Sequence, residues 1–351
     1  MSVTTPGLAT YASFVLICLL ILTLPFIPAM REWLRPTDAS ALPVAAKYTS
    51  DIDHFARRLH ADVSARLGEG APTGYEDFDL VAPDDLAAFP RAQRRVIVDG
   101  SLHAEAALHS RKPVYVRGNL RAAPQSSMPA LYATGDIHLG AESVVHDWAH
   151  ADGIFRMGDR GVALRRVSAG AALMLGEEAW FERLQAPAIY FGKPCESLFS
   201  RVPDEYPPPA TAAYADLPDA TRQTPDLYFV RGNCALPAGQ VFHGSLVVTG
   251  FLVIGEGTIV VGDVKAREGA SLGAGAWVQG AITCEKRIYV FGGARALGPV
   301  VSETDILIGD GAVIGLADAQ TTVSARNIIA EPGSVVHGSV WAHEIGMVKP
   351  L

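Results

Sequence analysis

The amino-acid sequence predicts an all-β protein: a three-faced β-helix with about 18 residues per coil, in two duplicated blocks, preceded by an N-terminal transmembrane helix. Three observations support this fold class. Residues 8–30 are apolar and uncharged. From residue 139 onward, short glycine-containing turns recur at intervals of about 18 residues. Between these turns, apolar residues recur at every sixth position.

The composition is that of a folded protein with an acidic balance. The chain has 351 residues, of which 49% are hydrophobic and 19% charged, and its net charge is −8. This hydrophobic content excludes a disordered chain, and the acidic balance argues against a nucleic-acid-binding protein. The four cysteines form no CxxC pair and no histidine lies at zinc spacing, so we expect no disulfide framework, no metal site and no cofactor. They are Cys18, Cys195, Cys234 and Cys284.

The apolar stretch at residues 8–30 predicts a single-pass membrane anchor. Its 23 residues are enough to cross a hydrocarbon core of roughly 30 Å. A cleaved signal peptide is the alternative, but it normally starts with basic residues, and no Lys or Arg precedes this stretch. Basic residues follow, beginning with Arg31 and Arg35, so the positive-inside rule predicts an inner-membrane anchor with the C-terminal body in the cytoplasm. Pro25 and Pro28 are expected to shorten or kink the far end of the helix.

Residues 31–111 are predicted to form a juxtamembrane helix and a linker. Within residues 50–67, apolar side chains recur at steps of three and four, which indicates an amphipathic helix of about four turns. These side chains are Ile52, Phe55, Leu59, Val63 and Leu67. Acidic residues between Glu76 and Asp85 come next, and we interpret them as a solvated linker rather than a catalytic or calcium-binding cluster.

The β-helix prediction depends on the six-residue repeat. A helical stripe would repeat every 3.6 residues, whereas one face of a three-sided β-helix repeats every six, so the repeated side chains should fill a narrow core. They are Leu139, Val145, Ala151, Met157, Ala163, Ala169, Leu175, Phe181, Ile254, Val260, Ala266, Leu272, Val278, Cys284 and Val290. A second set, four positions further on, should also face inward: Thr258, Val264, Ala270, Ala276, Ile282, Ile288 and Ala294. Cys284 is then a small core residue rather than a nucleophile.

The repeats fall into two blocks, at residues 112–200 and 227–351. The tetrapeptide VRGN occurs at 116 and again at 230, and the pattern TG-x4-G occurs at 134 and again at 249. Between the blocks, residues 201–226 contain the run Pro207-Pro208-Pro209 and read as an extended linker. Arg165, Arg166 and Trp180 make the first block the more degenerate copy. The body is therefore predicted to be an internal duplication.

The second block carries a more specific decapeptide motif. It occurs as GTIVVGDVKA (257–266), GAWVQGAITC (275–284), GARALGPVVS (293–302) and GSVVHGSVWA (333–342), with a shortened copy at 311–315. In this motif the chain resembles the bactofilins, a family of polymer-forming cytoskeletal proteins, well over residues 228–345 and weakly over 114–192. The resemblance implies a β-helix that stacks end to end into nucleotide-free filaments on the inner membrane, where it scaffolds enzymes of cell-envelope synthesis. Bactofilins normally have one core and short tails, whereas this chain has two cores and a membrane span.

Two enzyme classes remain as alternatives, although we expect no catalytic residue. A hexapeptide-repeat acyltransferase needs a histidine base, and the candidates are His138, His146, His150, His243, His337 and His343. None has a recognisable partner in the sequence, and His337 occupies an outward position of the repeat. A carbohydrate-processing β-helix needs paired carboxylates on one face. Within residues 254–300 the acidic residues are Glu256, Asp263, Glu268 and Glu285, and no two share a face at 18-residue spacing.

The end of the second block predicts self-association. The last copy of the motif ends at Ala342 and leaves only His343–Leu351, which is too short for a capping helix. We therefore expect an open C-terminal coil that pairs with the same coil of another chain, because bare β edges recruit other strands. The alternative is that this tail folds back over the edge. The predicted partners are further copies of the chain and the inner membrane, and the resemblance to bactofilins implies cell-envelope synthesis proteins as well. Nucleic acid is not expected as a partner.

Overall fold

The computed structural model describes residues 7–34, 52–68, 78–192, 217 and 220–350. The chain divides into two compact units, one up to Ser50 and one from Asp51 to Leu351. In the first unit, helix α1 (Leu8–Thr23) continues through a 3-10 turn (Leu24–Phe26) into helix α2 (Ile27–Leu34). Pro25 lies in that 3-10 turn, where the sequence predicts a distortion. The stretch from Tyr11 to Arg31 is long and apolar enough to cross a membrane.

Helix α3 (His54–Gly68) opens the second unit and packs on the side of the solenoid. Ala56, Leu59 and Val63 are buried against aromatic and aliphatic side chains of the outer surface of the solenoid. The amphipathic prediction is wrong for one residue, because the Phe55 side chain is exposed. The guanidinium of Arg166 lies 5.2 Å from the centroid of its ring, which is a cation–π contact.

The first block of the solenoid, residues 78–192, contains twelve strands. They are β1 (Phe78–Leu80), β2 (Arg95–Val98), β3 (Leu102–Ala104), β4 (Val114–Val116), β5 (Leu120–Ala122), β6 (Ser127–Ala133), β7 (Ile137–Leu139), β8 (Val144–Ala151), β9 (Ile154–Met157), β10 (Val162–Ala169), β11 (Ala172–Leu175) and β12 (Trp180–Phe191). The solenoid thus begins at Phe78, within the stretch that the sequence predicts to be a linker. A 3-10 turn (Leu86–Arg91) follows β1 and buries Phe89 in the core, so the first coils already carry an apolar interior.

The second block, residues 220–350, contains eighteen strands. They are β13 (Ala220–Thr224), β14 (Leu227–Val230), β15 (Cys234–Leu236), β16 (Val241–His243), β17 (Ser245–Val248), β18 (Phe251–Ile254), β19 (Ile259–Val261), β20 (Val264–Ala266), β21 (Gly269–Leu272), β22 (Trp277–Val278), β23 (Ile282–Cys284), β24 (Ile288–Val290), β25 (Arg295–Ala296), β26 (Val300–Ser302), β27 (Asp305–Ile308), β28 (Val313–Ile314), β29 (Thr321–Ala330) and β30 (Val335–Val348). β13 lies inside the predicted linker 201–226 and pairs antiparallel with β14. The proline run of that linker lies outside the described residues.

Strands of successive coils pair in parallel, which confirms the predicted fold class. In the second block the partner is usually 18 residues away, as in Val264↔Ile282 and Leu272↔Val290. The whole body is a β-solenoid of about 14 turns with about 18 residues per turn. Every position of the predicted six-residue repeat is buried, from Leu139 to Phe181 and from Ile254 to Val290, and so is the second set from Thr258 to Ala294. One continuous apolar cluster runs through both blocks.

The corners of the two blocks use the same backbone conformation with different residues. In the second block Gly257, Gly275, Gly293 and Gly311 turn the chain with φ between 62° and 68°. In the first block Gln125, Glu142, Arg160 and Glu178 hold φ between 54° and 63°. This left-handed region is unstrained for glycine and unfavourable for residues with a Cβ atom. At these corners the first block has residues with a Cβ atom where the second block has glycine, and the backbone turns in the same left-handed conformation. Arg165, Arg166 and Trp180 lie on strands β10 and β12 and not in these turns.

Candidate interaction surfaces

The two blocks meet end to end at their C-terminal coils. β12, the last strand of the first block, runs antiparallel to β30, the last strand of the second. The register pairs include Trp180↔Met347, Leu184↔Val340 and Tyr190↔Val335, so the contact extends over all three faces of the coil. We call this contact of β12 with β30, with its flanking corner residues, the junction. The prediction of an open C-terminal coil is wrong, because β30 is paired with β29 on one side and with β12 on the other.

Corner residues extend the backbone pairing of the junction beyond the strands. The Glu178 N–H donates to the Val348 carbonyl (3.0 Å), and the Val348 N–H donates to the Ala179 carbonyl (2.9 Å). At the other end, the Gly333 N–H donates to the Phe191 carbonyl (2.8 Å). The junction also joins the two cores, since the inward side chains of β12 and β30 belong to the same apolar cluster. The coil ends therefore satisfy each other's backbone groups and cover each other's interiors.

Polar and aromatic side chains surround the junction. His337, which the sequence predicts to point outward, is buried, and its Nδ1–H donates to the Pro187 carbonyl at 2.9 Å. It is buried because β12 covers the coil that would otherwise expose it. The Arg183 guanidinium lies 3.9 Å from the ring centroid of Trp341, which in turn stacks on His343 at 4.2 Å. Cation–π and stacking contacts of this kind add modestly to the stability of an interface.

The opposite ends of the blocks are covered by short segments of the chain. At the first block, Phe89 and Val81 lie in the core beside the outermost strands. At the second block, β13 pairs with β14, and Leu217 packs against the core. Among the described strands, β15 and β16 each pair with one neighbour only, β18 and β19 respectively. At this end the outer edges of β13, β15 and β16 are left for further pairing within the described part of the chain, and at the end of the first block β1 and β3 likewise pair with one neighbour only.

An apolar groove lies on the outside of the second block. Tyr289, Leu307, Ile329 and Met347 occupy one row across four successive coils and are half-buried. Phe291, at the adjacent corner, is 52% exposed. The groove has a volume of about 370 Å³, and the ion pair of Lys349 with Glu331 borders it. A groove of this type suits an apolar segment of a protein partner better than a charged small molecule.

A hydrogen-bonded network lies on the first block beside α3. His150 Nδ1 is 2.7 Å from Ser168 Oγ, and its Nε2–H donates to Asp152 Oδ1 at 3.2 Å. The Tyr132 hydroxyl also donates to Asp152, at 2.7 Å, and His60 of α3 stacks on the Tyr132 ring. Burial lowers the pKa of His150 and raises the pKa of Tyr132, so both are neutral at pH 7. The register of the solenoid, not the spacing in the sequence, places these side chains together, so no sequence pattern indicates the network.

The other candidate histidines lie at separate places. His138 lies on β7 with its side chain partly accessible to solvent, and partial desolvation together with the charges of Arg121 and Arg156 lowers its pKa. His146 contacts Ser127 across neighbouring coils (3.0 Å). His243 is exposed on the outer coil of the second block, and His343 stacks on Trp341 at the junction. The structure therefore distributes the six histidines over several surfaces.

Three of the four acidic residues named for carbohydrate chemistry, Asp263, Glu268 and Glu285, contact groups on neighbouring coils. Glu268 pairs with Lys286, and Glu285 pairs with Arg267, in each case across neighbouring coils. Asp263 accepts a hydrogen bond from the Ala281 N–H at 2.8 Å. These contacts hold adjacent coils in register. Over the described residues, no group of three or more His, Cys, Asp or Glu side chains is placed to hold a metal ion.

Comparisons with known proteins returned no match: no family model matches the sequence, and neither a curated protein nor a solved structure is significantly similar to it. The class of the molecule that the fold and the surfaces define is a β-solenoid with an N-terminal apolar helix. Its function has to be inferred from the junction, the groove and the helix.

Proposed function

We propose that this protein is a membrane-anchored, self-associating β-solenoid scaffold of the bactofilin type, which organises cell-envelope or polysaccharide machinery. The observation that carries the proposal is the junction, where two coil ends of the same chain pair over a full coil. A coil end leaves backbone N–H and C=O groups without neighbours, and such an edge is stabilised by another strand. The coil ends of this protein are thus suited to end-to-end contacts.

The apolar helix supports the membrane part of the proposal. The stretch from Tyr11 to Arg31 has the length and hydropathy of a membrane span, and its side chains are exposed rather than packed in a core. Basic residues follow this stretch and none precedes it, which favours a cytoplasmic body on the inner membrane. A scaffold held in this way would present its groove to apolar segments of membrane-associated partners.

Sedimentation of the full chain, reconstituted in lipid vesicles or in mild detergent, tests the proposal. We expect species larger than one chain without added nucleotide, and rods longer than one solenoid by negative-stain microscopy. One solenoid of about 14 coils at about 4.8 Å per coil is roughly 70 Å long. A single-chain species at all concentrations would refute self-association. Discrete trimers would instead support the acyltransferase alternative.

A further inference from the structure

We propose that the junction is exchanged between chains, so that the first block of one molecule pairs with the second block of another. This inference rests on the proposed self-association and specifies the contact that produces it. The surface is the outer edge of β30, and the partner is β12 of a second copy of the chain. The same register pairs would form, because the contact is made by two separate blocks and not by adjacent coils of one block.

The connection between the blocks is long enough to permit this exchange. Residues 193–219, 27 in number, connect β12 at the junction to β13 at the far end of the second block. A chain of that length spans at most about 90 Å. The second block has about seven coils between those points, or roughly 30 Å at about 4.8 Å per coil. The connection is therefore long enough for β12 to pair with β30 of the same chain, and its length does not require that pairing.

The junction contains several imperfect contacts. The Oε1 of Gln185, on β12, is buried and makes no hydrogen bond with the described residues. Pro187, also on β12, has no N–H to donate to a neighbouring strand. The pairing with β30 shifts register twice, between Phe181 and Arg183 and between Ala186 and Ile189. Because unsatisfied polar groups and broken ladders cost free energy, these features weaken the pairing of β12 with β30.

Exchange of this kind produces either a closed or an open assembly. Two chains that exchange reciprocally form a closed dimer, and chains that exchange in sequence form an open polymer. Pairing within one chain is favoured by an effective concentration in the millimolar range. Tethering many chains to one membrane surface raises the competing concentration of other copies. Exchange should therefore increase with the surface density of the protein on vesicles.

Disulfide trapping tests the exchange directly. Gln185 and Ser339 are register partners across the junction. One chain carries Gln185→Cys and a differently tagged chain carries Ser339→Cys, each with Cys18→Ser and Cys195→Ser. The two full-length chains are reconstituted together in vesicles and oxidised. We expect a disulfide-linked heterodimer of the two tags, with a yield that rises with the protein-to-lipid ratio. Assembly of both chains without this cross-link would overturn the exchange but leave the scaffold proposal standing.

A cis lock provides the second measurement. Gln185→Cys and Ser339→Cys in one chain, oxidised at high dilution, should close the junction intramolecularly and abolish self-association. The same chain under reducing conditions should assemble like the wild type, which shows that the substitutions are tolerated. The matched control carries Lys265→Cys and Thr283→Cys, which are register partners inside the second block. That lock should leave assembly intact. Undiminished assembly of the oxidised junction lock would overturn the exchange, and a wild type that never assembles would overturn both proposals.

Discussion

At the scale of single residues, two kinds of position constrain the sequence of the solenoid: the interior of each coil and the corners between its faces. Interior positions are dry and narrow, as Leu272 and Cys284 illustrate. Burial raises the pKa of the Cys284 thiol to about 12, which makes it an unreactive core residue. Corner positions require left-handed backbone, which the second block supplies with glycine and the first block with Glu142, Arg160 and Glu178. The corners of the first block consequently carry conformational strain.

Replacing a strained corner residue with glycine should stabilise the body. Glu178 holds φ of 57° and its side chain is exposed. Glu178→Gly should therefore raise the free energy of unfolding by up to about 1 kcal/mol, measured by thermal or urea unfolding. Glu142→Gly is the contrasting variant, because it also removes the contacts of Glu142 with Arg160 and Gln125. Its free energy of unfolding should therefore rise less than that of Glu178→Gly. A lower melting temperature for Glu178→Gly would contradict the strain argument.

A carboxylate in the coil interior should be severely destabilising. Leu272 is fully buried, so Leu272→Asp places an unpaired charge in an apolar core and should cost several kcal/mol. Gln279→Asp, at an outward position, should change stability by no more than about 0.5 kcal/mol. Melting temperatures of the two variants provide the measurement. Equal changes in the two melting temperatures would show that the six-residue repeat does not determine which side chains lie in the core.

At the scale of elements, side-chain rows across neighbouring coils hold the strands in register. Arg287 pairs with Asp305, which also accepts from the Asn327 amide at 2.8 Å, and together these groups lower the pKa of the Asp305 carboxyl. Such exposed pairs contribute little individually, but they repeat from coil to coil. On the first block an aromatic row is added where α3 docks, and Tyr115, Tyr132 and His60 stack there. Helix docking combines these rings with the buried apolar face of α3 and with the ion pair of Asp62 with Arg95.

The network beside α3 predicts a pH dependence of stability. Burial lowers the pKa of His150 below its usual value, so the unfolded chain takes up a proton at a higher pH than the folded chain does. The stabilisation linked to neutral His150 is therefore fully present above the pKa of the unfolded chain, about 6.5. It is lost as the pH falls below that value towards the lower pKa of the folded chain. We expect the free energy of unfolding to fall between pH 7.5 and 5.5, and His150→Gln to weaken that dependence. His146→Gln, on the same strand, is the control and should leave the slope unchanged. An unchanged slope in His150→Gln would exclude His150 as the cause.

At the scale of the whole body, the two blocks face each other with their C-terminal coils at the middle of the solenoid. Its outer ends are consequently the N-terminal coils of each block, beside Phe89 and beside β13. The apolar helix belongs to a separate unit that ends at Ser50. This division predicts that the body folds without the anchor.

Removal of residues 1–50 should leave a folded, β-rich body with an unchanged melting temperature, because residues 51–351 contain their own continuous apolar core. Circular dichroism and thermal unfolding of residues 51–351 provide the measurement. A C-terminal reporter on the full chain, active only in the cytoplasm, tests the proposed orientation. Loss of cooperative unfolding in the truncated chain would show that the anchor contributes to the fold.

The sequence by itself determined the fold class, the coil length and the core, because a six-residue apolar period is a local property of each face. The positions from Leu139 to Phe181 and from Ile254 to Val290 are buried as predicted. The order of the blocks along the solenoid, the burial of His337 and the contact of His150 with Ser168 were decided only by the tertiary structure. Coil-end pairing depends on backbone N–H and C=O groups, which every residue except proline carries. No sequence pattern therefore distinguishes an edge paired with another chain from one paired with β12 of the same chain.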